Sequence, residues 1–442
     1  MAREMRDSGI EWIGDIPIDW RIIRIKYLAN KEKDAFQDGD WIESPFIVDE
    51  GIRYLTTGNV GDGIFKRQGN GFISEDTFKE LNCKYAYPND LVISRLNAPY
   101  GRACILPDDE EKYVLAVDIV ILRTDNDKRF LCYLMQCNGY QSMVQDGAKG
   151  TTMKRISRTN LGNIFLPIAP LNEQHSIADY LDTECVRIDA VINKTRSSIE
   201  EYKKLKRSVI TQAVTKGIRP NRKMKDSGIE WIGKIASDYK LAKIKVGVIK
   251  VGSGKTPSGG AESYADEGVL FLRSQNVYDT GLVLDNPTYI TDEIDEEMKN
   301  TRVQPEDVLL NITGGSIGRC CIFPATLERA NVNQHVSIIR VIQSVFLPEY
   351  MHYYWLSKLG YMSIHLYQTG GNREGMTADA IKNSPIPLIP IKEQQEIVDY
   401  LDSKCLEMDS LIEKKEHFLT ELETYKKSLI FEFVTGKKEV PS

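Results

Sequence analysis

The sequence is poor in the residues that build metal and disulfide sites. Its 442 residues include only five histidines, at 175, 335, 352, 365 and 417, and none forms an H-E-x-x-H pair. The eight cysteines, at 83, 104, 132, 137, 185, 320, 321 and 405, contain no C-x-x-C pair. This pattern suggests neither a zinc ribbon nor a disulfide framework. We therefore predict no metal site and interpret the cysteines as small buried apolar residues.

Long apolar runs are also missing. No stretch approaches the roughly eighteen apolar residues that a membrane span needs, and the first residues, MAREMRDSGIEW, lack the apolar core of a signal peptide. We therefore expect a cytoplasmic protein that does not bind a membrane. The net charge of -6 argues against a simple basic nucleic-acid binder but is compatible with local basic patches.

Three segments imitate catalytic motifs without completing them. GSGKT at 252–256 resembles the end of a P-loop, but Ile249 stands where the pattern needs its first glycine. DNPTY at 285–289 imitates the Asn-Pro-Pro-Tyr of adenine methyltransferases, but Thr288 replaces the second proline. The segment 107–112 contains the residue types of a nuclease motif, but its acids are too close together in the chain for a nuclease site. An acidic loop fits this spacing better. We can assemble no nucleophile, base and orienting acid, and so predict no catalytic residues and no cofactor on this chain.

The main positive feature is an internal repeat of almost the whole chain. MRDSGIEWIGDIPIDW at 5–20 returns as MKDSGIEWIGKIASDY at 224–239, and DYLDTECVRIDAVI at 179–192 returns as DYLDSKCLEMDSLI at 399–412. Between these segments, short β-rich runs separated by Gly and Asn turns occupy 20–165 and again 240–385. The repeat predicts two equivalent halves, each with a mixed domain followed by a helix.

Each half ends in a long segment with a seven-residue apolar period. In the first copy the two series are Leu181, Ile188, Thr195, Tyr202, Val209 and Cys185, Ile192, Ile199, Lys206, Ala213. In the second copy they are Leu401, Met408, Lys415, Leu422, Leu429 and Cys405, Ile412, Leu419, Lys426, Phe433. This pattern is typical of a coiled-coil seam. A helix of roughly 64 Å at 1.5 Å per residue is far longer than an ordinary globular helix, which favours pairing of the two helices over each capping its own domain.

The two halves share framework residues but differ in polar loops. Pro88 and Asp90 match Pro305 and Asp307, and Gly101-Arg102 matches Gly318-Arg319. In contrast, Thr57-Gly58 aligns with Ser274-Gln275 in the repeat, and Arg95-Leu96-Asn97 aligns with Ile312-Thr313-Gly314. This indicates one framework that carries two different recognition surfaces.

Six segments carry a resemblance that covers essentially the whole chain. They are SGIEWIG (8–14), GTTMKRIS (150–157), LPIAPLNEQ (166–174), VGSGKTPSGG (251–260), LLNITGGSIGR (309–319) and IPLIPIKEQ (386–394). Together they resemble the specificity subunit of type I restriction-modification systems. The resemblance implies a non-catalytic subunit with two target-recognition domains, each reading one half of a split DNA sequence, held apart by two antiparallel helices. It also implies double-stranded DNA, two methyltransferase subunits and nuclease/translocase subunits as partners, with S-adenosylmethionine, ATP and magnesium on those subunits.

We accordingly predict an α+β fold with two mixed α/β target-recognition domains in tandem repeat. Each domain is followed by a long α-helix, and the two helices pair as an antiparallel coiled coil. The predicted boundaries are 1–168 for the first domain, 169–217 for its helix, 218–388 for the second domain and 389–437 for the C-terminal helix.

Polar and basic loop residues of both halves are candidates for DNA contacts, since Arg and Lys bind phosphates, Arg also reads guanine, and Asn or Gln suits adenine. The candidates in the first half are Thr57, Asn59, Arg95, Asn97, Tyr100, Arg102, Thr151, Thr152, Lys154, Arg155, Ser157 and Arg158, with Lys149 beside them. Those in the second half are Arg273, Ser274, Gln275, Asn276, Thr313, Ser316, Arg319 and Arg373. A solvated charged loop is the alternative around Lys154, and the matched Arg102 and Arg319 also fit a role in the framework.

Charge is distributed unequally between the two helix regions. Residues 194–225 contain eleven Lys or Arg against two Glu, whereas 413–439 contain six Lys against six Glu. The basic stretch could face DNA or an acidic partner.

Two alternative functions stay open. A DNA adenine methyltransferase would need the missing cofactor loop, and footprinting on DNA would separate a protein-only coiled-coil adaptor from a DNA-reading subunit.

Overall fold

The computed structural model describes residues 3–69, 71–150, 154–367 and 375–441. The chain divides into two compact units. The first consists of the residues up to Thr195 together with those from His417 onward, and the second of Arg196–Glu416.

In the first unit, the described residues form short strands around a small set of helices. The strands are β1 (Met5–Asp7), β2 (Asp15–Pro17), β3 (Arg21–Arg24), β4 (Phe36–Asp38), β5 (Ile52–Leu55), β6 (Phe72–Ile73), β7 (Leu91–Ser94), β8 (Ala103–Ile105), β9 (Tyr113–Leu115), β10 (Ile119–Leu122) and β11 (Phe165–Ile168). The helices are α1 (Glu75–Glu80), α2 (Lys128–Leu134), α3 (Asn138–Asp146), α4 (Arg158–Gly162) and the first half of α5 (Leu171–Lys216). The sheets have the orders β4-β10-β7-β8 and β6-β5-β9, with separate pairs β1-β2 and β11-β3.

The second unit repeats this plan. Its strands are β12 (Met224–Asp226), β13 (Lys234–Ala236), β14 (Lys240–Lys243), β15 (Val248–Ser253), β16 (Val269–Leu272), β17 (Val277–Tyr278), β18 (Gly281–Leu282), β19 (Tyr289–Ile290), β20 (Arg302–Val303), β21 (Val308–Asn311), β22 (Cys320–Ile322), β23 (Ala330–Val332), β24 (Val336–Val341) and β25 (Pro385–Leu388). Its helices are α6 (Asp292–Glu297), α7 (Pro348–Leu356), α8 (Lys358–Tyr367), α9 (Ala378–Asn383) and the first half of α10 (Ile391–Val434). The sheets have the orders β15-β24-β21-β22 and β19-β16-β23-β20, with pairs β12-β13, β14-β25 and β17-β18.

Strand register repeats between the units. In the first, Ile93 of β7 pairs with Val120 of β10, and in the second Leu310 pairs with Ser337, each residue displaced by 217 positions. The parallel pairs β5-β9 and β16-β23 correspond in the same way. The predicted mixed domains in tandem repeat are therefore confirmed in backbone pairing as well as in sequence.

The central strands are buried on both faces, which explains their continuous apolar runs. Along β7, Leu91 and Ile93 join one core cluster, whereas Val92 between them joins another. Strand β21 does the same, with Val308 facing one cluster and Leu309 the other. Successive side chains thus point to opposite faces of the sheet, as strand geometry requires.

The Glu-Gln pair after Pro170 ties helix α5 to the first domain. Glu173 accepts hydrogen bonds from Arg3 (Nη2 to Oε2, 2.8 Å) and from the indole of Trp20 (2.9 Å). Gln174 accepts from the backbone N–H of Asp127 at 2.9 Å and donates to the Ala169 carbonyl at 2.8 Å. The motif therefore fixes where the long helix leaves the domain.

The second copy of the motif does the same for α10. Glu393 accepts from the Tyr239 hydroxyl at 2.7 Å and pairs with Arg222. Gln394 accepts from the N–H of Leu347 at 2.9 Å and donates to the Ile389 carbonyl at 2.8 Å. The Glu-Gln pair therefore has the same role at the start of both long helices.

Segments of α5 and α10 pair within each unit. In the first, the rings of Tyr180 and Phe433 lie 4.6 Å apart and Lys426 binds Asp189 at 2.7 Å. Residue numbers rise along one helix as they fall along the other, so the pairing is antiparallel.

The pairing in the second unit has the same sense. Lys206 binds Asp409 at 2.6 Å, and Arg219 binds Glu396 at 3.1 Å. Every one of the twenty predicted seam residues is buried or half-buried. The predicted long helices and their antiparallel pairing are confirmed, and two of the three seam lysines, Lys206 and Lys426, each have an aspartate partner.

The eight cysteines are all buried and free, as predicted. No helix within the described ranges combines the length and apolarity needed to cross a membrane.

Candidate nucleic-acid interface

Three strand ends of the first unit meet at one edge of the four-stranded sheet. Strand β7 ends at Ser94 and is followed by Arg95, Asp118 immediately precedes β10, and β4 ends at Asp38. Ser94 lies opposite Ile119 and Asp38 opposite Val120, so antiparallel pairing brings the three polar side chains together.

These side chains form what we call the acid–arginine cluster, composed of Asp38, Arg95, Asp118, Arg155 and Arg158. Arg95 lies 3.1 Å from Asp38 and 3.7 Å from Asp118. Arg155 binds Asp118 at 3.1 Å, and Arg158 lies 3.6 Å from Asp38. Two carboxylates thus hold three guanidinium groups, and charge-assisted contacts of this kind fix donor geometry.

Burial separates the roles of the three arginines. Arg95 is 5% exposed and donates to the carbonyl oxygens of Ile156 at 3.2 Å and Val117 at 2.6 Å. Burial lowers its pKa, and the two nearby carboxylates oppose that shift. The side chains of Arg155 and Arg158 are 53% and 44% exposed, so their donors reach solvent while the carboxylates orient them.

A cavity of about 370 Å³ lies beside this cluster and is lined by Arg95, Lys149, Arg155, Ser157, Asn160 and Gly147. Backbone hydrogen bonds between Lys149 and Arg155, 3.0 and 3.1 Å long, fix its wall. Lys149 and Lys154 are exposed. A concave basic surface of this kind can accept a phosphate or the edge of a base.

The same sheet edge in the second unit carries different chemistry. Thr256 follows β15, Thr313 lies after β21, and Gln334 and His335 precede β24. The Thr313 hydroxyl lies 2.6 Å from His335 Nδ1, and Gln334 contacts Thr256 and, at 3.2 Å, His335 Nε2. We call these four residues the threonine–histidine cluster. His335 stands 217 positions after Asp118, so hydroxyl, amide and imidazole groups here replace the carboxylate and guanidinium groups of the first unit.

A family model describes both halves of the chain. The model for the type I restriction modification DNA specificity domain matches residues 17–201 and again 237–421. The chain belongs to this family. It carries two such domains in tandem, as the sequence resemblance predicted.

Curated relatives of this family match nearly end to end. The putative type I restriction enzyme MjaX specificity subunit of Methanocaldococcus jannaschii is 25% identical over 97% of this chain and 96% of its own length. The EcoBI specificity subunit of Escherichia coli is 24% identical over 99% and 90% respectively. A chain from a solved structure concerning complex assembly and conformational transition of the type I R-M system shares the fold, with a TM-score of 0.71, 14% identity and coverage of 96% and 99%.

Within these two specificity domains, Asn59 and Asn276 hold equivalent turns. They are 2% and 5% exposed. Each accepts from a backbone N–H three residues earlier, at 2.9 Å, and donates to a backbone carbonyl seven residues later, at 3.0 and 2.9 Å. Their amides are used inside the framework.

Arg102 is also committed to the framework of the first specificity domain. It is 8% exposed and donates to the carbonyl oxygens of Thr57 at 2.8 Å and Asn97 at 2.9 Å. Asn97 is exposed on a left-handed turn with φ of 64°, and Tyr100 packs against the core. Among Asn97, Tyr100 and Arg102, Asn97 is therefore the residue whose side chain is exposed to solvent.

The candidates of the second specificity domain are spread over two loops. Gln275 is exposed, whereas Arg273 is half-buried with its guanidinium 5.8 Å from the Tyr264 ring. Ser274 and Ser316 both accept from the Asn311 amide, at 2.8 Å through the carbonyl and 3.2 Å through the hydroxyl. Arg319 lies 4.4 Å from the Tyr278 ring.

Three of the predicted DNA-contacting residues lie outside the part of the chain that the structure describes, and a fourth caps a helix. Thr151, Thr152 and Arg373 lie outside the described residues. The Ser157 hydroxyl accepts from the N–H of Asn160 at 3.1 Å and so caps helix α4. A serine at this position is a common helix start.

Sequence reasoning missed Asp38, Asp118, Thr256, Gln334 and His335. It searched for donors suited to bases and phosphates and did not consider the acids that orient them. The sequence did contain a signal for these residues. AVDIV at 116–120 aligns with NQHVS at 333–337 in the repeat, and the two segments carry different polar residues. Unlike polar residues at matched strand ends mark both clusters.

Proposed function

We propose that the chain is the non-catalytic specificity subunit of a type I restriction-modification complex and that it reads a two-part DNA target. In this proposal the acid–arginine cluster reads one half-site and the threonine–histidine cluster reads the other. Methylation, translocation and cleavage belong to partner subunits, which carry S-adenosylmethionine, ATP and magnesium.

The observation that carries the proposal is the replacement of one polar cluster by another at the same edge of a repeated framework. A structural requirement common to both units would keep the same residues, as it does at Asn59 and Asn276. Recognition of two different half-sites requires the opposite. The family match over both halves of the chain supports the same proposal.

The residue types suggest how each cluster discriminates bases. Exposed Arg155 and Arg158 suit the paired acceptors of guanine, and Asp38 or Asp118 suits the amino group of cytosine. In the second unit, exposed Gln334 suits adenine, and the imidazole of His335 and the hydroxyl of Thr313 offer further hydrogen-bonding groups. Lys149 and Lys154 supply sequence-independent phosphate contacts.

The test is to express the chain with the methyltransferase subunits of its own system in a host without adenine methylation, and to sequence the modified DNA. We expect a two-part motif with a nonspecific gap. Arg155→Ala should relax one part and Gln334→Ala the other, because the residues lie in different units.

Lys240→Ala is the matched control, since Lys240 is exposed on β14, a strand that belongs to neither of the two sheets whose ends carry the clusters. It should leave the motif unchanged. A motif with a single part, or two variants that alter the same part, would contradict the proposal. Methylation by the chain without its partner subunits would contradict the non-catalytic assignment.

A further inference from the structure

The second unit contains a larger cavity, well removed in sequence from the threonine–histidine cluster. It measures about 700 Å³ and is lined by α5, the segment 231–234 and the start of α8. Five of its lining residues are cations, namely Lys204, Arg207, Lys216, Lys234 and Lys358, and none is acidic. Among the residues that the structure describes, none of the five is in an ion pair, although Arg207 lies within electrostatic range of the carboxyl of Asp279. This concentration of positive charge predicts an anionic partner.

The cavity has an apolar floor beneath its cations. Trp231, Ile232 and Met362 are half-buried and Leu359 is buried, whereas all five cations are exposed. Arg207 lies 5.1 Å from the ring of Tyr361, so the guanidinium is held at the rim. A buried apolar centre inside a polar rim is the arrangement of a protein–protein anchor site.

Local structure keeps this cavity in shape. The backbone N–H of Lys358 donates to the Thr211 hydroxyl at 2.8 Å, which itself donates to the Arg207 carbonyl at 2.7 Å. The start of α8 is thereby bound to α5. Cavities of this size suffice to bury a few side chains.

The first unit does not repeat the surface. At the positions displaced by 219 or 220, Thr424, Lys427, Gly436, Asp15 and Asn138 replace Lys204, Arg207, Lys216, Lys234 and Lys358, and Glu432 replaces Gln212. At these matched positions the first unit therefore has one lysine and two acids, whereas the second unit has five cations.

The packing of the first unit also differs at this surface. A Cβ at Gly139 would lie 2.5 Å from the Trp12 ring, so the tryptophan lies directly on helix α3. The corresponding residue in the second unit is Leu359, whose side chain excludes that position for Trp231. In the first unit Lys437 also donates to the carbonyls of Ile13 and Asp15, at 2.7 and 3.1 Å. The cavity is thus a feature of the second repeat.

We propose that this cavity docks one acidic segment of a partner protein, anchored by an aromatic or long aliphatic side chain. DNA is the weaker occupant, because a phosphate backbone has no apolar group to bury on Trp231, Ile232 and Met362. Since the surface is present in one repeat, a single copy of the partner segment binds each chain. This inference is independent of which bases the two clusters read.

The chemistry is tested by fluorescence anisotropy with the purified full chain. The probes are a short labelled peptide with glutamates on both sides of one tryptophan, the same peptide with serine in place of tryptophan, and a random-sequence DNA duplex. We expect the tryptophan peptide to bind about tenfold more tightly than the serine peptide. Lys204→Glu with Lys358→Glu should weaken the tryptophan peptide by a similar factor and leave duplex binding unchanged.

The matched control is Lys240→Glu with Lys392→Glu, which makes the same charge change in the same unit at exposed residues that do not line the cavity. It should leave peptide binding unchanged, and thermal unfolding should confirm that both variants are folded. Equal affinity for the two peptides, or equal weakening by the control pair, would show charge attraction without a docking site. Loss of duplex binding specific to the cavity variant would assign the surface to DNA instead.

The natural partner is identified by photo-crosslinking in the complex assembled from the chain and the other subunits of its system. A benzophenone side chain replaces Met362 at the cavity floor or, as control, Ser142 at the corresponding position of the first unit. We expect crosslinks from position 362 to an acidic segment of a partner subunit, and none to that segment from 142. Equal crosslinking from both positions, or crosslinks to DNA alone, would overturn the single-copy docking site.

Discussion

At the scale of single residues, the two aspartates of the acid–arginine cluster have a positioning role. Asp118 holds exposed Arg155 at 3.1 Å and also faces buried Arg95. If Arg155 reads a base, Asp118→Asn should cost on the order of 1 to 3 kcal/mol of discrimination at one base pair. Affinity for nonspecific DNA should rise, because a negative charge is removed from the interface.

This is measured by competing cognate duplexes against single-mismatch duplexes for the assembled complex. Asp125→Asn is the control, since Asp125 is an exposed loop residue of the same unit. Unchanged discrimination in Asp118→Asn would exclude the positioning role.

One of the two glycines of the P-loop imitation, Gly254, has a steric explanation. A Cβ at Gly254 would overlap the carbonyl oxygen of Val332, and a Cβ at the equivalent Gly39 would overlap that of Leu115. We expect Gly254→Ala to destabilise the second unit by about 3 kcal/mol, as overpacking does. A Cβ at Gly252 meets nothing within 4 Å, so Gly252→Ala should change stability by less than about 1 kcal/mol. Urea unfolding compares the two variants directly, and equal urea midpoints of unfolding would contradict the steric explanation.

Residue-scale prediction from sequence succeeded where chemistry is local and failed where partners are distant. The pairing of Arg102 with Arg319 in the repeat indicated a framework role, and Arg102 donates hydrogen bonds to four backbone carbonyls. The acids beside Arg95 come from strands 57 and 23 positions away, and no spacing rule connects them. Base preferences depend on loop geometry and DNA shape, which the sequence does not encode in a readable form.

At the scale of elements, the start of α10 depends on the buried Glu393. Burial raises the pKa of this carboxyl, but the bonds from Arg222 and Tyr239 outweigh that effect, so the pKa lies below its ordinary value of 4.5. Glu393→Gln should destabilise the second unit by on the order of 1 to 3 kcal/mol, because it removes the buried carboxylate from Arg222 and leaves the exposed Asp238 as its ion-pair partner. Glu396→Gln breaks an exposed pair with Arg219 and should cost under about 1 kcal/mol.

The pH dependence of this difference follows from linkage. A carboxyl with a depressed pKa in the folded state stabilises that state above its unfolded pKa and loses this contribution as pH falls through the folded value. The stability gap between the wild type and Glu393→Gln should therefore be constant near neutral pH and shrink once the pH drops below 4.5. Chemical unfolding at several pH values measures it, and a gap that grows in acid would contradict the assignment.

The heptad pattern identified the helices and their buried seam, because periodicity reports which face of a helix is covered. It placed the polar interruptions at Lys206 and Lys426 but gave no partner for them. Asp409 and Asp189 lie just outside the apolar series, and the lysines reach them through long side chains. Periodicity also does not reveal that Thr195 marks a change of unit within one continuous helix.

At the scale of the whole molecule, the first unit is assembled from two distant parts of the chain. Its main core cluster includes Leu429, Ile430, Phe433 and Val434 from the second half of α10. A chain ending at Glu416 should therefore lose the first unit and keep the second, whose core cluster draws on residues 210–405. Limited proteolysis should leave a resistant fragment near 196–416. A chain ending at Val440 is the control, and survival of both units in the shorter chain would contradict this division.

The repeat made the global architecture predictable, since two copies of one pattern indicate two copies of one fold. What the repeat could not indicate is the loss of symmetry at the cavity of the second unit. That difference arises from Leu359 in place of Gly139 and from charge changes at separate positions of the sequence. No single change predicts a cavity, and it is the fold that brings these positions together around one.

The discontinuous first unit also has a consequence for biosynthesis. The ribosome makes residues 1–195 first, yet the helical segment that completes their core is translated after the entire second unit. At about 5 to 20 residues per second, this leaves the unfinished core waiting roughly 10 to 45 seconds. During that interval the apolar faces of Leu181, Ile188 and Ile192 lack their covering helix. The first unit therefore completes its core after the second unit, although its synthesis begins earlier.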